Sequence, residues 1–137
     1  MEYLRAIASD GRDANPFFTL MGIDIISFGD GEAALSMEIR PDMMSGAGWL
    51  QGGIYTSLSD EAMALAICTR LREGERIATI SETTSFLRGV QAGPVSAHGR
   101  VIRMGRRVAF AEGEVRAGDQ VLAATRASFA VMRHQEK

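Results

Sequence analysis

Hydrophobic and polar positions follow three rhythms along the chain. From Ala33 to Arg40 they alternate, with Ala33, Leu35, Met37 and Ile39 on one side and Ser36, Glu38 and Arg40 on the other. A period of two predicts a half-buried strand. Ile23 to Phe28 predicts a shorter strand before it, and Gly29-Asp30-Gly31 a turn between them. From about Gly52 to Leu71 the period lengthens. Ile54, Leu58, Ala62, Leu65 and Cys68 recur at helical spacing, and Tyr55, Met63, Ala64, Ala66 and Ile67 fill the other sides. A helix apolar nearly all round is a buried one. Strand-like patterning then returns at 77–88, 95–104, 107–116 and 120–132. The separators QAGP, MGR and AGD come at roughly hairpin spacing and suggest an antiparallel meander. At the other end, residues 1–14 predict a short helix and a polar loop. Asn15-Pro16 opens a helical turn, with asparagine as cap and proline at the first helical position, and Gly22 ends it.

Two strands, one long buried helix and four further strands make a single α+β domain over residues 1–137, with 133–137 as a tail. One helix across a curved sheet leaves apolar surface and strand edges uncovered, and self-association is the simplest cover.

Composition narrows the chemistry. Apolar residues make up 46% and charged residues 23%, and the formal net charge of −2 argues against a general nucleic-acid binder. The apolar stretches are too short and broken for a membrane span, and the N-terminus, with early acids, does not read as a secretory signal. Cys68 is the single cysteine, which excludes an intrachain disulfide and fits a reducing cytoplasm. Set in AMALAIC, it reads as a small buried hydrophobe. Lys137 is the only lysine, so no phosphate-loop or Schiff-base lysine lies inside the fold. Two histidines, His98 and His134, and one cysteine cannot build a cysteine/histidine zinc cluster. Neither histidine lies near a GxSxG turn.

Three segments carry a resemblance. Asn15-Pro16-Phe17 is followed by Leu20-Met21-Gly22-Ile23; Gln51-Gly52-Gly53 is followed by Leu58-Ser59-Asp60; Phe86-Leu87-Arg88 is followed by Gly99-Arg100-Val101, Gly105-Arg106-Arg107 and Ala111-Glu112-Gly113-Glu114-Val115. In that order and spacing, over about residues 15–132, the chain resembles the hotdog thioesterases of the PaaI type, relatives of the 4-hydroxybenzoyl-CoA thioesterases. The resemblance implies a long central helix wrapped by a curved antiparallel sheet. It implies hydrolysis of an acyl-CoA thioester, with coenzyme A as part of the substrate and no separate cofactor or metal. It also implies a homodimer or homotetramer with active sites at subunit interfaces.

Physical chemistry gives the candidate residues their roles. Gly52 and Gly53 stand at a helix N-terminus, where N–H groups lack partners and the dipole favours negative charge. Such an amide could hold the oxyanion formed on attack at a thioester; the bland alternative is close helix packing. Asp60 and Glu61 are adjacent acids in an apolar helix, and unpaired buried carboxylates are costly. Periodicity does not choose between them. The resemblance selects Asp60, as general base toward water or as a nucleophile giving a mixed anhydride; the alternative is a structural ion pair. Thr79 falls where similar proteins carry a hydroxyl that holds the attacking water. Its strand phase groups it with Ile77, Ser81, Thr83 and Ser85.

The departures from the family bear on the substrate. Gln51 replaces the histidine of HGG, and a glutamine can still donate a hydrogen bond. Ser45 stands for a frequent asparagine, and Ser81 for an aspartate. Trp49, with Met43 and Met44, could line the acyl pocket or simply pack. Gly53, Phe86 and Arg88 belong to the substrate-binding set the resemblance implies, and Arg88, Arg106 and Arg107 could meet the phosphates of CoA. Since arginine supplies nearly all the positive charge, the alternative for each is a solvated surface residue. His98 alternates with Ser96 and Arg100 and reads as exposed. Two rival functions remain: a non-catalytic acyl-CoA-binding protein, and a dehydratase or hydratase. The second needs a histidine near the helix, and the sequence has none before His98.

Overall fold

The structure, a computed structural model, describes residues 1–133; His134 and Lys137 lie outside the described residues. Helix α1 (Glu2–Asp10) leads through a 3₁₀ turn into α2 (Pro16–Met21). Asn15 caps α2 as its sequence predicts: its side-chain oxygen accepts the N–H groups of Phe17 at 3.0 Å and Phe18 at 3.4 Å. Gly22 ends α2 at φ 73°, a left-handed conformation that glycine adopts without penalty.

Strands β1 (Ile23–Gly29) and β2 (Glu32–Glu38) form the first hairpin, and Ala33, Leu35 and Met37 are buried as their alternation predicts. Helix α3 (Gly52–Cys68) follows. Then come β3 (Glu75–Phe86), β4 (Pro94–Met104), β5 (Val108–Ala117) and β6 (Gln120–Arg133). The six strands form one antiparallel sheet in the order β1-β2-β4-β5-β6-β3. Helix α3 lies across one face of it, burying Leu58, Ala62, Met63, Leu65, Ala66 and Ile67 among others. This is the hotdog architecture. The helix backbone sits hard against the sheet at Gly99 of β4, where an added Cβ would overlap the carbonyl of Ala62.

Two expectations are corrected. The helix ends at Cys68 rather than near Leu71, in a turn where the Thr69 hydroxyl donates to the Ala66 carbonyl at 2.6 Å. The last four strands are also not a meander: β4, β5 and β6 follow in order, but β3 pairs with β6 at the far edge. The segment between β3 and β4 is a crossover rather than a hairpin turn. It is held by the N–H of Leu50 on the Val90 carbonyl at 2.9 Å and the N–H of Ile39 on the Gly93 carbonyl at 3.1 Å. Turn spacing reports which strands are close in sequence, not which edge the chain takes after a helix.

As an edge strand, β3 is open on one side, and Ile80, Phe86 and Leu87 at that edge are 57%, 56% and 58% exposed. Among the described residues no helix is long and apolar enough to cross a membrane.

Candidate active site

At the start of α3, Gln51 is the N-cap, and its side-chain oxygen accepts the Gly53 N–H at 2.6 Å. The Gly52 N–H has no acceptor among the described residues. Gly52 lies under the Phe86 ring, which an added Cβ would approach to 3.4 Å. Around it is a cleft of about 310 Å³ lined by Gly52, Tyr55, Phe86 and Arg88. The Tyr55 hydroxyl donates to the Arg88 carbonyl at 3.1 Å, and its ring meets Phe86 edge-on with centroids 5.8 Å apart. Trp49 is half-exposed and covers Gly89, next to Arg88. Ser45 frames the preceding turn, its N–H donating to the Trp49 carbonyl at 2.7 Å. Met43 is buried and Met44 half-buried.

Asp60 lies two turns further along α3 and is half-buried. The Thr79 hydroxyl donates to its Oδ1 at 3.0 Å. The strand phase read from sequence holds from Ile77 to Thr79 and then breaks. Thr79 pairs with Phe129, but Ser81 pairs with Ser128, one step on, so β3 carries a bulge at residue 80. Beyond it the faces exchange. Glu82, Thr84 and Phe86 turn toward α3, and the Thr56 hydroxyl donates to that of Thr84 at 2.9 Å. Ser81 turns outward to meet Ser128 at 3.2 Å, and Thr83 and Ser85 line the outer surface beside His98 and Arg100. The expected row of hydroxyls beside Thr79 is therefore absent. A carboxyl, Glu82, takes its place on the inner face of β3, near enough to Asp60 for that charge to act on it.

Glu82 is the site residue that sequence reasoning missed. Burial, then hydrogen bonding to Asp60 and the Asp60 charge, push its carboxyl up to about 7. The run SETTSF has no apolar marker before Phe86 from which a phase could be read.

Glu61 turns another way. Asn15 Nδ2 donates to its Oε1 at 3.5 Å and to the Tyr3 hydroxyl at 2.9 Å. Burial, then the Asp60 charge, raise Glu61 to about 7 against the hydrogen bond from Asn15. Cys68 is buried, and burial with the nearby Glu61 pushes its thiol up to about 11, which suits an inert packing residue.

The arginines divide. Arg88 stands at the Gly52 cleft. Arg106 and Arg107 are exposed at the β4–β5 turn, where the Arg107 carbonyl accepts the Val131 N–H at 2.8 Å, toward the opposite end of the sheet. His98 is exposed as expected, with Nε2 3.0 Å from Glu32 on the outer face. One chain thus gathers Gly52, Phe86 and Arg88 at one end, Asp60, Thr79 and Glu82 in the middle, and Arg106 and Arg107 at the other end. Among the described residues no group of metal-binding side chains is assembled.

A helix laid across a six-stranded antiparallel sheet is the arrangement of the hotdog class. The Thioesterase superfamily matches residues 47–124, more than half of the chain, and the chain belongs to that superfamily. The thioesterase HI1161 of Haemophilus influenzae is similar in structure, with a TM-score of 0.84 and 25% identity over 98% of this chain and 92% of that one. A mutant of the phenylacetic acid degradation protein PaaI of Thermus thermophilus has a TM-score of 0.78 and 27% identity over 85% of this chain and 98% of its own. In sequence, a 1,4-dihydroxy-2-naphthoyl-CoA hydrolase of Listeria monocytogenes is 26% identical over 63% of this chain and 70% of its own length.

Proposed function

We propose that the protein hydrolyses an acyl-CoA thioester to a free acid and CoA. The observation that carries this reading is the Asp60–Thr79 pair, 3.0 Å apart at the open edge of the sheet. Neither member forms a salt bridge among the described residues. A half-exposed carboxylate held by one hydroxyl, with no cation to neutralise it, is suited to taking a proton from water. The water oxygen bonds to the acyl carbon, and the carbonyl becomes an oxyanion. The oxyanion rests on a glycine N–H at a helix N-terminus. The C–S bond then breaks, and the thiolate recovers the proton from Asp60.

Gly52 of the same chain cannot serve Asp60. The two are separated by eight positions on α3, which is roughly 12 Å at the rise of an α-helix. We therefore assign the oxyanion amide to a second copy, joined through the open β3 edge, in a dimer or a dimer of dimers. Pairing two such edges covers Ile80 and Leu87 and satisfies the free backbone groups. It also brings exposed arginines of either copy, Arg88, Arg106 and Arg107, within the choice of sites for the CoA phosphates. The name of the Listeria relative, a CoA-thioester hydrolase, supports the substrate class.

The test is thiol release from a panel of aromatic, medium-chain and hydroxylated acyl-CoAs. Asp60→Asn lowers kcat by about 10²–10⁴, the usual worth of a general base, while binding of the thioester persists. Tight binding without turnover of any acyl group by the unaltered protein would instead establish a non-catalytic acyl-CoA binder.

A further inference from the structure

Glu82 has no place in the reaction as described so far, yet its surroundings are specific. The β3 bulge turns it to the inner face of the sheet, three positions on from Thr79, whose hydroxyl holds Asp60. Its Oε2 is buried without a hydrogen-bond donor among the described residues. The residue opposite on β6 is Ala127, and its neighbours on the inner face of β3 are Thr79 and Thr84. From α3 the ionisable group that bears on it is Asp60. No arginine or histidine forms an ion pair with either carboxyl among the described residues.

An ionised Glu82 would therefore be an uncompensated charge facing a second one, with one of its oxygens shut off from solvent and unpaired. Two carboxylates repel, whereas a carboxyl and a carboxylate in contact share one proton and attract. The environment resolves the conflict by holding Glu82 protonated up to about 7.

Resting on the thioesterase reading above, we propose that Glu82 is a positioning residue for Asp60, its protonated carboxyl donating to the Asp60 carboxylate so that the working site is a carboxyl pair carrying one proton. Thr79 and Glu82 then grip Asp60 from the two sides of the bulge and fix the direction of its free lone pair. Proton count closes simply: the pair holds one proton at rest, two after Asp60 has taken one from water, and one again after the thiolate has left with it. Loss of the resting proton places two negative charges together and frees Asp60 from its second partner, so the alkaline form is the inactive one.

The experiment is the pH dependence of kcat and KM for the intact protein, Glu82→Gln and Glu82→Leu, with circular dichroism to show that each variant folds. In the unaltered protein kcat falls about tenfold per pH unit once the pH passes the second ionisation of the pair. Glu82→Gln keeps a donor but cannot ionise, so the alkaline fall disappears while kcat at pH about 6 stays within about threefold. Glu82→Leu lowers kcat about tenfold or more across the range, with KM little changed. The same alkaline fall in Glu82→Gln, or an unaltered kcat in Glu82→Leu, overturns the proposal. Carboxyl carbon NMR titration separates this from failure of the thioesterase reading. In a Glu61→Gln background, which removes the other glutamate raised to about 7, a glutamate titrating near neutrality, lost on adding Glu82→Gln and moved toward ordinary acidity on adding Asp60→Asn, demonstrates the shared proton whether or not any thioester is cleaved. Absence of that signal removes the pair, and its presence with no turnover removes only the reaction.

Discussion

Asp60 and Glu61 are adjacent and chemically alike, and one helical step gives them different neighbours. Asp60 meets a hydroxyl at the sheet edge, while Glu61 lies under α1 with Asn15 and Tyr3. The Glu61 environment costs stability in a pH-dependent way. In the unfolded chain its carboxyl ionises around 4.5, and in the fold it keeps its proton to about 7. Between those values the unfolded chain has released a proton that the folded one retains, so rising pH favours unfolding. The favourable contribution is complete below the lower value and lost through the upper one, and Glu82 adds a change of the same sign. Thermal denaturation should show a Tm that declines across this window. In Glu61→Gln the decline should shrink and the Tm near neutrality should rise. An unchanged slope in that variant would mean that Glu61 is ionised in the fold. Asn15 ties three features together, since it caps α2 and contacts both Tyr3 and Glu61. Asn15→Ala should cost about 1–2 kcal/mol by denaturant unfolding, at the upper end for a lost cap.

The strongest constraint among the elements is the contact of α3 with the sheet. Gly99 on β4 has no room for a side chain, because the obstruction is helix backbone and cannot swing aside. Gly99→Ala should therefore destabilise the protein by about 1–3 kcal/mol in urea, as overpacking does. Gly46, in the loop before α3, has open space around it. Gly46→Ala should stay within about 0.5 kcal/mol of the parent. Equal effects at the two positions would contradict this account of the helix–sheet contact. Element type was plain in the sequence, from the all-round apolar pattern of α3 and the alternation of β2. The phase of β3 beyond Thr79 was not, because Ser81, Glu82, Thr83, Thr84 and Ser85 are all polar and either face reads alike. Only the pairing with Phe129 and Ser128 reveals the bulge, and with it the inward turn of Glu82.

At the scale of the whole molecule the question is completeness. Asp60 and Gly52 of one chain lie about 12 Å apart along α3, too far to act on one carbonyl, and the β3 edge beside that helix is open. If two copies complete each other, two inactive variants should rescue one another. Asp60→Asn removes the proposed base, and Gly52→Pro removes the proposed oxyanion amide at a position where proline suits a helix start. Mixed dimers of the two carry one intact site. Co-refolded material should recover up to about a quarter of the parent's activity, given random pairing and one good site of two in half the dimers. Recovery of nothing, although native mass spectrometry of differently tagged chains shows mixed dimers, would sink the shared site.

Residue order alone makes legible the type of each element, the buried helix, the glycine-headed helix start and the acid-bearing turn. Each of these is written locally, in periodicity, caps and short-range residue order. Tertiary structure decided which edge β3 takes, which of two neighbouring acids meets a hydroxyl, and that a second carboxyl stands beside Asp60. Those outcomes depend on strand register and on contacts between residues distant in the chain, and no local pattern of polar and apolar positions encodes them.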